Sequence, residues 1–132
     1  MSSRDMIARL GDVSDRVVRY RVKRLLDRYV VLVQARVNPH KVGYPIVADT
    51  LIEVVPWKLD RACLKLAAME PVCYVSAASA GREVSIEVNA RSEGELASFV
   101  KGRLPEIDGV VRARTVIVPR RVKDVALWEI PR

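Results

Sequence analysis

The chain has 132 residues, 23 Lys or Arg against 16 Asp or Glu, and a net charge of +7. That length suits one ordinary domain or two very small ones, and with half the residues hydrophobic there is material for a true core. No run approaches the roughly 18 apolar residues of a membrane span, and MSSRDMIARLG at the start lacks the apolar stretch of a signal peptide, so a cytoplasmic protein with no membrane partner is expected.

The charge is uneven along the chain. Residues 1–45 carry 10 Lys or Arg against 4 Asp or Glu, residues 46–109 carry 7 against 10, and residues 110–132 carry 6 against 2. The basic start implies an anionic partner there, nucleic acid before a lipid surface. Cys63, Cys73 and the single histidine, His40, are too few for a four-ligand zinc site. Both cysteines sit in apolar contexts and are expected as reduced core residues. No metal or cofactor is expected.

In chain order, residues 4–10 suit a short helix that ends near Gly11. After the turn Gly11-Asp12-Val13, Ser14 is placed to cap a second helix over residues 14–28, with Asp15 at the positive end of its dipole. At about 100° per residue, Val18, Val22, Leu25 and Tyr29 form one stripe with Leu26 beside it. Arg16, Tyr20, Lys23 and Asp27 lie opposite, flanked by Arg19 and Arg24. This is helix-turn-helix spacing, and an Arg/Lys/Tyr front suits the DNA major groove. A solvated basic surface helix is the plain alternative.

Residues 30–37, VVLVQARV, have the composition of a strand. NPHKVGYP, residues 38–45, is a linker by its two prolines and glycine. Beyond it come a strand at 46–55, a helix at 57–69 stopped by Pro71, and a strand at 72–78. After Gly81-Arg82 comes an alternating strand in REVSIEVNA. Ser92 and Glu95 then form a capping box that opens a helix with Leu96, Phe99, Val100 and Leu104 on its inner face. A last strand spans 110–118. The order βαββαβ is ferredoxin-like: one antiparallel sheet with both helices on one face. Asp49, Leu51, Glu53 and Val55 fall on one side of the first strand, and Ile46, Ala48, Thr50, Ile52 and Val54 on the other. Apolar residues on both sides predict that the second face packs on another subunit, in a homodimer or higher homo-oligomer. Val125, Leu127 and Trp128 suggest that the tail docks on the body or on a neighbour.

The run VSDRVVRYRVKRL (13–25), the segment NPHKVG (38–43) and the IDGV (107–110) before the last strand together resemble the Lrp/AsnC (feast/famine) transcription regulators. The first is similar to that family's recognition helix and the second to its hinge. The resemblance covers nearly the whole chain to about residue 119. It implies an α+β fold, a partial helix-turn-helix followed by a ferredoxin-like (RAM/ACT-like) sensing domain. The implied domains are 1–37 for DNA binding plus a strand, 38–45 as hinge, 46–119 for effector sensing and oligomerisation, and 120–132 as tail. The family has a further helix ahead of these two, so the chain is expected to be an N-terminally short member. Tyr29 stands where the family has glycine, and Gly81-Arg82-Glu83-Val84 lacks the acid of the family's Gly-x-x-Asp.

The expected function is that of a sequence-specific, double-stranded-DNA-binding transcriptional regulator. Ser14, Arg16, Arg19, Tyr20, Lys23 and Arg24 are the DNA-binding residues. Arg16, Arg19 and Tyr20 are placed at base edges, and Lys23 and Arg24 at phosphates. A small effector, possibly an amino acid, is placed near Tyr74, Ser76, Ala80 and Gly81. The alternative is a DNA-incompetent small-molecule-binding and oligomerisation module that modulates a full-length relative. An enzyme is not expected: His40 lies in the hinge away from any Ser or Cys, and no G-x-x-x-x-G-K-[ST] phosphate loop is present.

Overall fold

The computed structural model describes residues 2–11 and 13–124. The chain divides into two compact units, residues 1–37 and 38–132. In the first, α1 (Ser3–Leu10) opens on a reciprocal cap: the Ser2 hydroxyl accepts from the Asp5 amide and the Asp5 carboxylate accepts from the Ser2 amide. α2 (Asp15–Asp27) starts where its cap places it, with Ser14 Oγ accepting the Val17 N–H at 3.4 Å. It packs against α1, burying Val18 and half-burying Val22 and Leu26.

α2 ends in a reversal. The Tyr29 N–H donates to the Leu26 carbonyl at 3.0 Å and the Val30 N–H to the Leu25 carbonyl at 2.9 Å, which is the Schellman pattern. Tyr29 holds φ 55° to make it. The position where the family has glycine and this chain has tyrosine is thus a left-handed one.

The strand expected at 30–37 does not form; these residues lie outside every helix and strand. Leu32 and Val33 are 74% and 80% exposed. β-branched residues favour extended backbone, but a strand also needs a neighbour to take its N–H and C=O groups, and the described sheet spends its pairing on other strands.

The second unit begins with the hinge, where Asn38 Oδ1 accepts the His40 N–H at 3.1 Å and the Tyr44 N–H returns to the Pro39 carbonyl at 2.9 Å. Then follow β1 (Ile46–Val54), α3 (Leu59–Ala67), β2 (Val72–Ala77), β3 (Glu83–Ala90), α4 (Glu93–Ser98) and β4 (Val110–Ile117). The four strands form one antiparallel sheet in the order β2-β3-β1-β4, as the βαββαβ reading requires. The register places Ile52 beside Val84, Thr50 beside Ile86 and Ala48 beside Val88. This face is buried with Ala62 and Leu66 of α3, Leu96 of α4, and Phe99, Leu104 and Ile107. Thr50, a buried polar side chain on this face, meets Thr115 Oγ1 at 2.8 Å across β1 and β4.

Two helical details depart from the expected elements. Residues Pro56–Lys58 form a separate 3-10 turn before α3. α4 is short and widens into a π turn over Phe99–Arg103, which lets Phe99 and Leu104 both reach the core. The capping box is also staggered. Ser92 Oγ accepts from the Glu95 amide at 3.1 Å, but the Glu95 carboxylate takes the Arg91 amide, one residue earlier, at 2.6 Å.

The cysteine expectation is half corrected. Both thiols are free, and Cys63 packs against the core, but Cys73 is exposed. It sits at an irregularity of the edge strand β2, between Val72 and Tyr74, where the pairing with β3 shifts. The expected docking residues Val125, Leu127 and Trp128 lie outside the described residues.

Candidate nucleic-acid interface and effector turn

Because α2 buries Val18, its opposite side is left to solvent. Arg16, Arg19, Tyr20, Lys23 and Arg24 are all exposed, as is the cap Ser14. Their starting states differ. Arg19 Nε is 2.7 Å from the Asp15 carboxylate, and Lys23 Nζ is 3.5 Å from that of Asp27. The Arg24 guanidinium stands over the Tyr20 ring, 5.8 Å from its centroid, a contact that stiffens both side chains. Arg16 has no ion-pair partner among the described residues. Exposed pairs one helical turn apart are worth only about 0.3–0.5 kcal/mol, so a phosphate can displace either partner acid.

Two more cations, Arg21 and Arg28, are exposed on α2 and at its end. They fall beside the apolar stripe rather than opposite it, so helical periodicity alone does not point to them. A cleft of about 560 Å³ opens between the first turns of α1 and α2, lined by Ser2, Arg4, Ile7, Asp15 and Arg19. Arg4 is not among the residues that the sequence points to, because nothing in the spacing shows that the start of α1 lies beside that of α2.

The effector candidates lie in the second unit. Tyr74 and Ser76 of β2 are in register with Glu87 and Ser85 of β3, on the sheet face that carries no helix. Tyr74 is exposed and Ser76 half-buried. Ala80 and Gly81 belong to the β2–β3 turn, where the Gly81 N–H reaches the Ala78 carbonyl at 3.1 Å. Gly81 has φ +71°, and nothing lies within 4 Å of a Cβ placed on it. The structure therefore pairs Tyr74 with Ser76, and Ala80 with Gly81, along one edge. The turn is open on its outer side.

The rest of that sheet face is strongly charged. Asp49 and Glu87 are direct cross-strand neighbours, as are Glu53 and Glu83. Like charges so placed repel, and cations answer two of them. Arg112 Nε lies 2.6 Å from Glu53, and Arg121, past the end of β4, bonds Glu87, which raises the Arg121 pKa. The Cys73 thiol donates to the Glu87 carboxylate at 3.4 Å, and burial together with that carboxylate pushes the thiol up to about 11. Elsewhere, Lys58 bonds Asp108 at 2.6 Å and holds its carboxyl below the usual range. Among the described residues, no group of three or more His, Cys, Asp or Glu is arranged to hold a metal ion, and no helix is long and apolar enough to cross a membrane.

No protein-family model matches the chain. An HTH-type transcriptional regulator of Pyrococcus furiosus is 33% identical over 113 residues, which are 85% of this chain and 76% of that protein. The HTH-type transcriptional regulator LrpA of Pyrococcus horikoshii is 30% identical over 118 residues, 89% of this chain and 84% of that one. Among solved structures, AsnC of E. coli superposes with a TM-score of 0.81 at 19% identity, over 94% of this chain and 84% of that one. A feast or famine regulatory protein from M. tuberculosis, complexed with L-methionine, superposes with a TM-score of 0.81 at 25% identity, over 98% and 87%.

Proposed function

Since this chain belongs to the Lrp/AsnC family of helix-turn-helix transcriptional regulators, we propose that it binds double-stranded DNA through α2, self-associates, and responds to a small effector, without enzymatic activity. The observation that carries the DNA reading is the exposed basic side of α2. Arg16 and Tyr20 are placed at base edges, Arg24 and Lys23 at phosphates. Ser14 holds the first turn in shape. Arg19 starts from its pair with Asp15 and must give it up to reach a base, so it ranks behind Arg16 for that role. Arg21, Arg28 and Arg4 add phosphate contacts. Two copies would present two such helices to successive major grooves, on chromosomal DNA and hence in the cytoplasm.

The effector reading rests on the open turn at Ala80 and Gly81 and on the L-methionine bound by the M. tuberculosis relative. An amino acid is the class proposed for the edge formed by Tyr74, Ser76, Ala80 and Gly81. Calorimetric titration with the common amino acids tests it, and no heat from any of them would end the idea.

For DNA, fluorescence anisotropy against the duplex upstream of the chain's own coding sequence is measured across a salt series. Binding is expected to weaken with salt by about 0.9 log units per log unit for each phosphate contacted. Lys23→Ala should weaken all duplexes and flatten that slope by about one contact, whereas Arg16→Ala should relax sequence preference. A second reading, the DNA-incompetent module, is favoured by one observation: Val18 is the only fully buried residue among those described in the first unit, a thin core for a helix pair. Absence of any DNA binding together with an amino-acid response would select it.

A further inference from the structure

We propose that Val17 reads the 5-methyl group of a thymine, an apolar specificity contact set among the cations of α2; the inference rests on the DNA-binding reading above. Val17 lies about 140° around the helix from the half-buried Val22, on the side that carries Tyr20, Arg21 and Arg24. It is 39% exposed, so the core makes incomplete use of it. A β-branched side chain also costs helix propensity relative to alanine, so an exposed valine is a poor choice for a merely solvated turn.

Its position is fixed. Val17 is the third residue of α2, and its N–H is held by both Ser14 Oγ and the Ser14 carbonyl, at 3.4 and 3.0 Å. In a helix, valine has one strongly preferred χ1, so its two methyl groups project in one direction with little entropy to lose on docking. Tyr20 and Arg21 stand one turn further along, at i+3 and i+4, and are long enough to reach the groove on either side of it. An apolar protein surface is a poor occupant of this spot, because Arg16, Arg21 and Arg24 around Val17 would have to be desolvated with it. The major groove of DNA accommodates all of them together. Its phosphates and guanine edges take the cations, and its one apolar group, the thymine methyl, takes the valine.

The test starts by selecting duplexes from a random library with the full wild-type chain. The tightest site is then remade with each thymine in turn replaced by deoxyuridine, which removes only the methyl group. At one thymine of each contacted half-site this should weaken wild-type binding about fourfold, the worth of one buried methyl. Val17→Ala should bind the thymine and deoxyuridine forms equally, and with the wild type's salt dependence, because no phosphate contact is lost. Alanine suits the exposed first turn of a helix, and an unchanged far-UV circular dichroism spectrum checks that α2 persists. If no deoxyuridine matters to the wild type, or if Val17→Ala keeps the thymine preference, the inference is overturned alone. If the wild type retains no duplex at all, it falls together with the DNA-binding reading.

Discussion

Two side chains hold states unusual for their residue types. Cys73 is exposed as a residue, yet its sulfur is turned onto the Glu87 carbonyl and carboxylate, and this partial loss of water beside a negative charge pushes the thiol up to about 11. The sign follows from the neutral form being favoured in the fold. The thiol's contribution to stability is present below the ordinary thiol pKa, and is lost as pH climbs from there through about 11. At pH 8, iodoacetamide should therefore label Cys73 about a hundredfold more slowly in the folded chain than in urea, since the thiolate is the nucleophile. Glu87→Gln should recover part of that rate, and equal rates in both states would contradict the assigned environment. Tyr29 was more legible. The sequence put a tyrosine where a helix reversal wants glycine, and the structure gives it φ 55°. Its ring is 84% exposed, so removing it forfeits little burial. Tyr29→Gly should stabilise the first unit by about 1 kcal/mol, read as a rise in the urea midpoint followed by circular dichroism. Cys73 was misjudged because apolar neighbours in sequence do not reveal which strand lies at a sheet edge.

At the level of elements, the alternating strands and both capping serines were legible because each rests on contacts within a few residues. The hydroxyls of Ser14 and Ser92 accept from the residue three positions on, and Val84, Ile86 and Val88 bury on alternate positions. Residues 30–37 were not legible in the same way, because strand composition says nothing about whether a pairing partner exists. The widened turn at Phe99–Arg103 is set by core packing at both of its ends, which no local pattern encodes. The turn before β4 combines both kinds of signal. The IDGV run stood out in the sequence before the last strand, and the structure adds that Gly109 has φ +97° and that a Cβ there would stand 2.7 Å from Lys58 Cβ. The Gly109 carbonyl also accepts the Val55 N–H at 2.8 Å, joining the end of β1 to the start of β4. Gly109→Ala should therefore cost about 2–3 kcal/mol through strain, measured by urea unfolding. A loss under 0.5 kcal/mol, within the usual range for surface changes, would mean that the turn rearranges freely.

For the whole molecule, the question is what covers the sheet face that bears no helix. Helices bury one side of the sheet, whereas the other side leaves Leu51, Tyr74 and Val116 between 47% and 56% exposed, among Asp49, Glu53, Arg112 and Arg114. Leu51 lies in register between Ser85 of β3 and Arg114 of β4, at the middle of that face. A second copy is the proposed cover. Leu51→Lys separates the possibilities, because its side chain projects away from the buried core and the substitution should leave the sheet intact. Sedimentation velocity at micromolar concentration should give at least a dimer for the wild type. For the variant it should give a dissociation constant raised at least tenfold, since about 2 kcal/mol of apolar burial is lost and an ammonium must be desolvated in its place. DNA affinity should fall with it, because a monomer brings one α2 rather than two to the duplex. A monomeric wild type would remove the oligomer from the proposed function. A variant that stays dimeric would move the interface off this face and onto residues 30–37, where Val33→Lys would be the substitution that breaks it.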